Sequence, residues 1–123
     1  MTGVDGPIDE PTYDALLKMT GDDQAFVDEL IDTYLEDAAD QLAALDAALD
    51  AGDAAALTRP AHSMKSSSLG VGALELGQVC RELEELGRAG SLDGAAEGVT
   101  EAHRQFESVR AALLARRAED ATG

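Results

Sequence analysis

The 123-residue chain contains one cysteine, Cys80, no tryptophan, two tyrosines, two phenylalanines and three prolines. A single thiol excludes an intramolecular disulfide and a cysteine-rich metal site. Cys80 sits in an apolar-periodic run and reads as a small core residue. With aromatics this scarce, the core has to be made of Leu, Val and Ala, which suits helices packed closely on helices. Positive charge is scarce too: 9 Lys and Arg stand against 25 Asp and Glu, a net charge of -16. Nucleic acids and anionic membranes require cations to neutralise phosphates, so neither is an expected partner. The acidity itself is what solvated helix faces look like. No apolar run approaches the roughly 18 to 20 residues of a membrane-spanning helix, and Met1 to Pro7 has neither the basic nor the apolar region of a secretory signal. The expectation is one cytoplasmic, monomeric domain, at a length that supports a single core.

What is present is helical periodicity. Gly3, Gly6 and Pro7 make a poor helix, so residues 1–8 are expected to be flexible. Asp9 can cap a short helix to about Met19, with Pro11 tolerated in its first turn, and Thr20-Gly21 ends it. After Asp22 and Asp23, the apolar positions Val27, Leu30, Tyr34, Ala38, Leu42, Leu45 and Leu49 recur every three or four residues as far as Gly52. Asp53 is placed to cap a third helix with Ala54, Leu57, Ala61, Met64, Ser68 and Val71 facing inward. Leu76, Val79, Cys80, Leu83 and Leu86 define a fourth, closing near Gly90. Val99, Ala102, Phe106, Val109 and Leu113 define a last long one, with residues 118–123 expected to fray. No segment alternates with the period of a strand. Short turns between helices predict an all-α, antiparallel up-down four-helix bundle over residues 9–117, with a short additional N-terminal helix.

The chemistry concentrates in Ala61-His62-Ser63-Met64-Lys65-Ser66-Ser67-Ser68-Leu69-Gly70-Val71-Gly72-Ala73. His62 lies about 100° round the helix from Ala61, on the flank it shares with Arg59, Lys65, Ser66 and Leu69. An imidazole on an open helix face beside a cation suits a phosphoryl carrier: a neutral ring nitrogen can attack phosphorus, and Lys65 can offset the charge of the oxygens. Ser66 and Ser67 are small enough to let another protein approach. His103, followed by Arg104 and Gln105, has no such surroundings and reads as a surface residue. No metal-ligand spacing, nucleophile elbow or phosphate-binding glycine loop is present. Pro60 allows two outcomes, a kink just before His62 or a helix that starts closer to Pro60 than the periodicity suggests.

This stretch resembles the signature of histidine-containing phosphotransfer (HPt) domains: an Ala-His, then a hydrophobic residue, Lys, a run of small residues and Gly-Ala. The Ala-Gly-Asp turn at Ala51 to Asp53 and the Cys-Arg-Glu-Leu-Glu-Glu-Leu-Gly-Arg run from Cys80 to Arg88 extend the likeness. Many members have Gly where this chain has Ser66. The resemblance implies a carrier that takes a phosphoryl group on His62 and passes it between receiver-domain aspartates, or from a kinase, in a multistep two-component phosphorelay. It implies no independent enzymatic turnover, no cofactor of its own, and Mg²⁺ supplied by the partner receiver. Its partners are then the receiver domains of response regulators or a hybrid histidine kinase. Glu84, by the same resemblance, can orient the imidazole, and Arg88 can add phosphate-facing charge. Arg59, Ser66, Ser67 and Leu69 form the expected docking flank. The alternative from another class is a helical module that docks on a receiver or kinase without carrying phosphate.

Overall fold

The computed structural model describes residues 7–122, with side chains as far as 119. Five α-helices follow one another: α1 (Glu10–Met19), α2 (Gln24–Ala51), α3 (Thr58–Gly70), α4 (Leu74–Ala89) and α5 (Ala95–Thr122), with a 3-10 turn at Ala54–Leu57 before α3. Three aspartates start these elements by accepting from backbone N–H groups that have no helical partner. Asp9 accepts from Thr12, Asp23 from Phe26 and Asp53 from Ala56. Gly52 and Gly90 close α2 and α4 in the left-handed conformation.

Helices α2 to α5 form the expected bundle, each packing on its sequence neighbour and α5 closing back on α2. The core is aliphatic, with Ile31, Leu45, Leu57, Met64, Leu76, Leu83 and Leu113 among its fully buried side chains. In α2 the inner row runs through Ile31 and Ala48, while Leu30 and Leu49, expected inside, are only half-buried. Both pairs are adjacent in sequence, and spacings of three and four accommodate either member.

Three other expectations change. Ile8 is buried in the core, so the folded part starts before Asp9 and the flexible N-terminus expected over residues 1–8 is too long; Met1 to Gly6 lie outside the described residues. Asp53 caps the 3-10 turn rather than α3, which begins at Thr58. Pro60 is therefore the third residue of α3, inside the first turn, where its missing N–H has no helical acceptor to lose. At the far end α5 runs to Thr122, so the tail expected to begin at 118 is part of the helix as far as the described residues go; Gly123 lies outside them.

Helix α1 covers the end of the bundle where α3 turns into α4. The Asp9 N–H donates to the Gly72 carbonyl at 2.7 Å. Gly72 has φ +89°, and a Cβ there would lie 2.9 Å from the Asp9 carbonyl oxygen, so both its conformation and its closeness to α1 demand glycine. From the other side Arg116 of α5 lies over the Tyr13 ring, 4.4 Å from its centroid, and pairs with Glu10 and Asp14.

Candidate functional site

The inner stripe of α3 is Pro60, Ala61, Met64 and Ser68. Ser68 is fully buried and its hydroxyl shares a 2.8 Å hydrogen bond with the Tyr34 hydroxyl of α2. With that face turned inward, His62 is carried outward, and its side chain is 56% exposed. Arg59, Ser66 and Leu69 are exposed on the same flank, as the helix phase predicts, and Lys65 is half-buried. Ser67 lies further round. Its hydroxyl donates back to the Ser63 and Met64 carbonyls, and it lines an apolar groove with Leu16, Leu30 and Tyr34, apart from His62.

Glu84 is the centre of the site. It lies four residues after Cys80 and eight after Leu76, in the row of α4 that faces the bundle, and only 2% of its surface is exposed. A buried carboxylate needs partners. Its Oε1 accepts from Lys65 Nζ at 2.7 Å; its Oε2 lies 2.8 Å from His62 Nδ1 and 2.6 Å from the Arg88 guanidinium, one helical turn on. The hydrogen bond from Lys65, supported by those from His62 and the charge of Arg88, outweighs burial and holds the carboxyl down to about 2. At neutral pH Glu84 is therefore ionised and can only accept. The proton shared with His62 then belongs on Nδ1 of the ring, and in the neutral imidazole the lone pair is on Nε2, on the exposed side.

The sequence-predicted residues meet in this way, with one difference of orientation. The Lys65 ammonium is directed at Glu84. Arg88, with 65% of its side chain exposed, holds the same carboxylate from the solvent side. A cleft of about 390 Å³ opens beside the imidazole, walled by Ala55, Thr58, Arg59, His62, Glu84 and Arg88. A second hollow of about 260 Å³ is lined by Lys65 and Leu69 of α3 and by Leu74, Gly77, Gln78 and Arg81 of α4. Arg59, Lys65, Arg81 and Arg88 thus place four of the chain's 9 cations along one side of the α3–α4 pair in a protein of net charge -16. His103 is elsewhere, on α5, paired with Asp46 of α2 at 3.0 Å. Among the described residues no group of three or more His, Cys, Asp or Glu side chains is placed to hold a metal ion. Burial pushes the Cys80 thiol up to about 12, which fits its reading as a core residue. No described helix is long and apolar enough to cross a membrane.

Two features escaped the sequence. The burial of Glu84 is one: the resemblance set this residue beside the imidazole as a group that can orient the ring, and the four-residue step from Leu76 through Cys80 was the available sign that it points inward. Leu74, 45% exposed at the start of α4, and Arg81 extend the surface beyond the residues expected from α3 alone.

An exposed imidazole with its tautomer fixed from behind by an ionised carboxylate, and with cations around it, is a nucleophile prepared for an electrophile that carries negative oxygens. Comparison with known proteins agrees. Residues 29–120 match the model of the Hpt domain family. The chain is 34% identical over 88 residues to multistep phosphorelay regulator 1 of Schizosaccharomyces pombe, a stretch that is 71% of this chain and 30% of that longer protein. The crystal structure of histidine-containing phosphotransfer protein B (HptB) from Pseudomonas aeruginosa PAO1 superposes with a TM-score of 0.84 at 35% identity, covering 92% of this chain and 96% of that one. The chain belongs to the Hpt domain family of histidine phosphotransfer proteins.

Proposed function

We propose that His62 Nε2 is the phosphoacceptor and that the protein carries the group between receiver-domain aspartates, or from a hybrid kinase to a receiver, in a multistep phosphorelay. The observation that carries this reading is the 2.8 Å contact of Nδ1 with an ionised, buried Glu84, which in the neutral ring puts the proton on Nδ1 and the lone pair on the opposite nitrogen of a side chain that is 56% exposed. In the forward step the Nε2 lone pair attacks the phosphorus of an aspartyl phosphate in line. An N–P bond forms, the P–O bond to the aspartate breaks, and the carboxylate leaves with the bonding pair. No proton has to move: Nδ1 keeps its hydrogen, and the positive charge that develops on the phosphorylated ring faces the Glu84 carboxylate. Return transfer is the same step reversed.

In this reading Lys65 and Arg88 have two tasks. Before transfer they neutralise Glu84; afterwards the more exposed Arg88, with Arg59 across the cleft, can turn to the phosphoryl oxygens. The receiver contributes the aspartate and the Mg²⁺, and this protein contributes a positioned nucleophile that is turned over by others, as a monomeric cytoplasmic carrier. The small Ser66 admits the receiver's loops. Incubation with a phosphorylated receiver should give an acid-labile, base-stable label on the wild type and on His103→Gln, and none on His62→Gln. Label on His62→Gln would remove the assignment. Receiver binding without label on any form would favour the docking module that carries no phosphate.

A further inference from the structure

The His62–Glu84 contact joins two helices, and something has to hold those helices at that distance. Two glycines of α4 face α3, and they are not equivalent. At Gly77 an added Cβ would collide with the Leu69 side chain alone, at 2.5 Å from Cδ2 and 2.9 Å from Cγ, while the Lys65 carbonyl oxygen at 3.8 Å is at ordinary contact distance. Leu69 is exposed and can change rotamer. At Gly87, buried one turn beyond Glu84, a Cβ would lie 2.9 Å from the backbone nitrogen and 3.1 Å from the Cα of Thr58, and closer still to its Oγ1. Backbone cannot rotate away; it can only be displaced.

Thr58 is the first residue of α3 and lies four before His62, one turn above it on the same face. Whatever displaces Thr58 from α4 carries the turn bearing His62 with it. We infer that Gly87 is a positioning residue for the phosphoacceptor: by letting the start of α3 rest directly on α4, it sets the separation at which Glu84 holds Nδ1 of His62. The neighbour of Gly87 along its helix face is Glu84 itself, three residues before. A side chain at 87 widens the α3–α4 gap at the level of the site. One at 77 perturbs the same interface at its other end and leaves the site closed.

The consequence for transfer rests on His62 being the acceptor; the geometric claim does not, and its readout is separate. Long-range ¹⁵N–¹H correlation of the imidazoles reports which ring nitrogen carries the proton, with His103 as an internal reference. In wild type and in Gly77→Ala, His62 should show a single tautomer protonated on Nδ1. In folded Gly87→Ala the tautomers should mix, and label uptake from a phosphorylated receiver should fall on the order of tenfold to a hundredfold, the penalty of a misplaced reacting group. If Gly87→Ala does not fold, Thr58→Ala/Gly87→Ala removes the hardest contact while the two backbone contacts still demand a shift, and partial tautomer mixing is expected there. A wild-type tautomer in folded Gly87→Ala, or in the folded double variant, overturns the inference. So does equal mixing in Gly77→Ala, which would make the effect a general loosening. If neither variant at 87 folds, Gly87 is a requirement of the fold and the inference fails. A wild type with the single tautomer but no label leaves Gly87 in its role and refutes the carrier function instead.

Discussion

Replacing Glu84 by Gln keeps the volume and one acceptor oxygen and removes the charge on which three donors converge. Arg88 is mostly in water, where an ion pair is worth about 0 to 1 kcal/mol, and it can simply turn away. Lys65 is half-buried and its bond to the carboxylate is charge-assisted, worth about 1.5 to 3 kcal/mol, part of which the amide oxygen recovers. The net loss is about 1 to 2 kcal/mol, a fall in melting temperature of roughly 4 to 8 °C for a domain of this size. The pH dependence has a definite sign. The Glu84 carboxyl is depressed from an ordinary 4.5 to about 2, so its stabilising contribution is complete above the ordinary value and is lost as pH falls through the folded one. Calorimetric melts should show the wild type the more stable at about pH 5, and the gap should close as the pH falls from 4.5 to 2. Other carboxylates held down by arginines, such as Glu101 beside Arg104, titrate in both proteins and cancel. A gap that persists unchanged to the acid limit would refute the claim that the ionised Glu84 carries the stabilisation. The same variant should label more slowly, because an amide can donate to Nδ1 as well as accept from it.

Lys65→Ala should lower stability by about 1.5 to 3 kcal/mol, since its ammonium is committed to a buried carboxylate and nothing replaces it, and should also shorten the lifetime of the phosphohistidine; an unchanged lifetime would confine Lys65 to neutralising Glu84. Ser66→Gln, at an exposed position, should leave the melting temperature within the equivalent of about 0.5 kcal/mol while weakening receiver binding in titration calorimetry, and unaltered affinity would place the receiver on another flank.

The helices, the caps Asp9 and Asp23 and the outward direction of His62 were legible because each rests on local rules: side-chain acceptors for free N–H groups, glycine past a helix end, apolar spacing near 3.6. Even Pro60 was readable as a choice between two geometries, settled by the 3-10 turn that lets α3 start at Thr58. The burial of Glu84 was not legible to the same degree. Amphipathic patterning assumes that carboxylates face water, and the reason this one does not is supplied by Lys65 on a different helix. Ion pairs across helices depend on interhelical distance, which no spacing within one helix encodes. The same holds for Gly87, which in sequence is indistinguishable from a helix-weakening glycine and acquires meaning only when Thr58 is found against it. It holds for Lys65 as well, whose place in sequence suggested a free cation for phosphate.

The hydrogen bond between Tyr34 and Ser68 fixes rotational register. The inner stripe of α3 is mostly small, and a helix presenting Pro60, Ala61 and Ser68 to its neighbours could turn about its axis with little loss of buried area. Met64 supplies bulk, but methionine adapts its shape to the space offered. The two hydroxyls do not adapt in this way: 2.8 Å apart in the interior, each leaves an uncompensated polar group if α3 turns away. A rotation of one residue step, about 100°, would swing His62 either into the core or to the far side of the helix from Glu84. A contact that takes no part in phosphoryl chemistry thus selects, among the settings the apolar packing allows, the one in which the imidazole faces outward against α4.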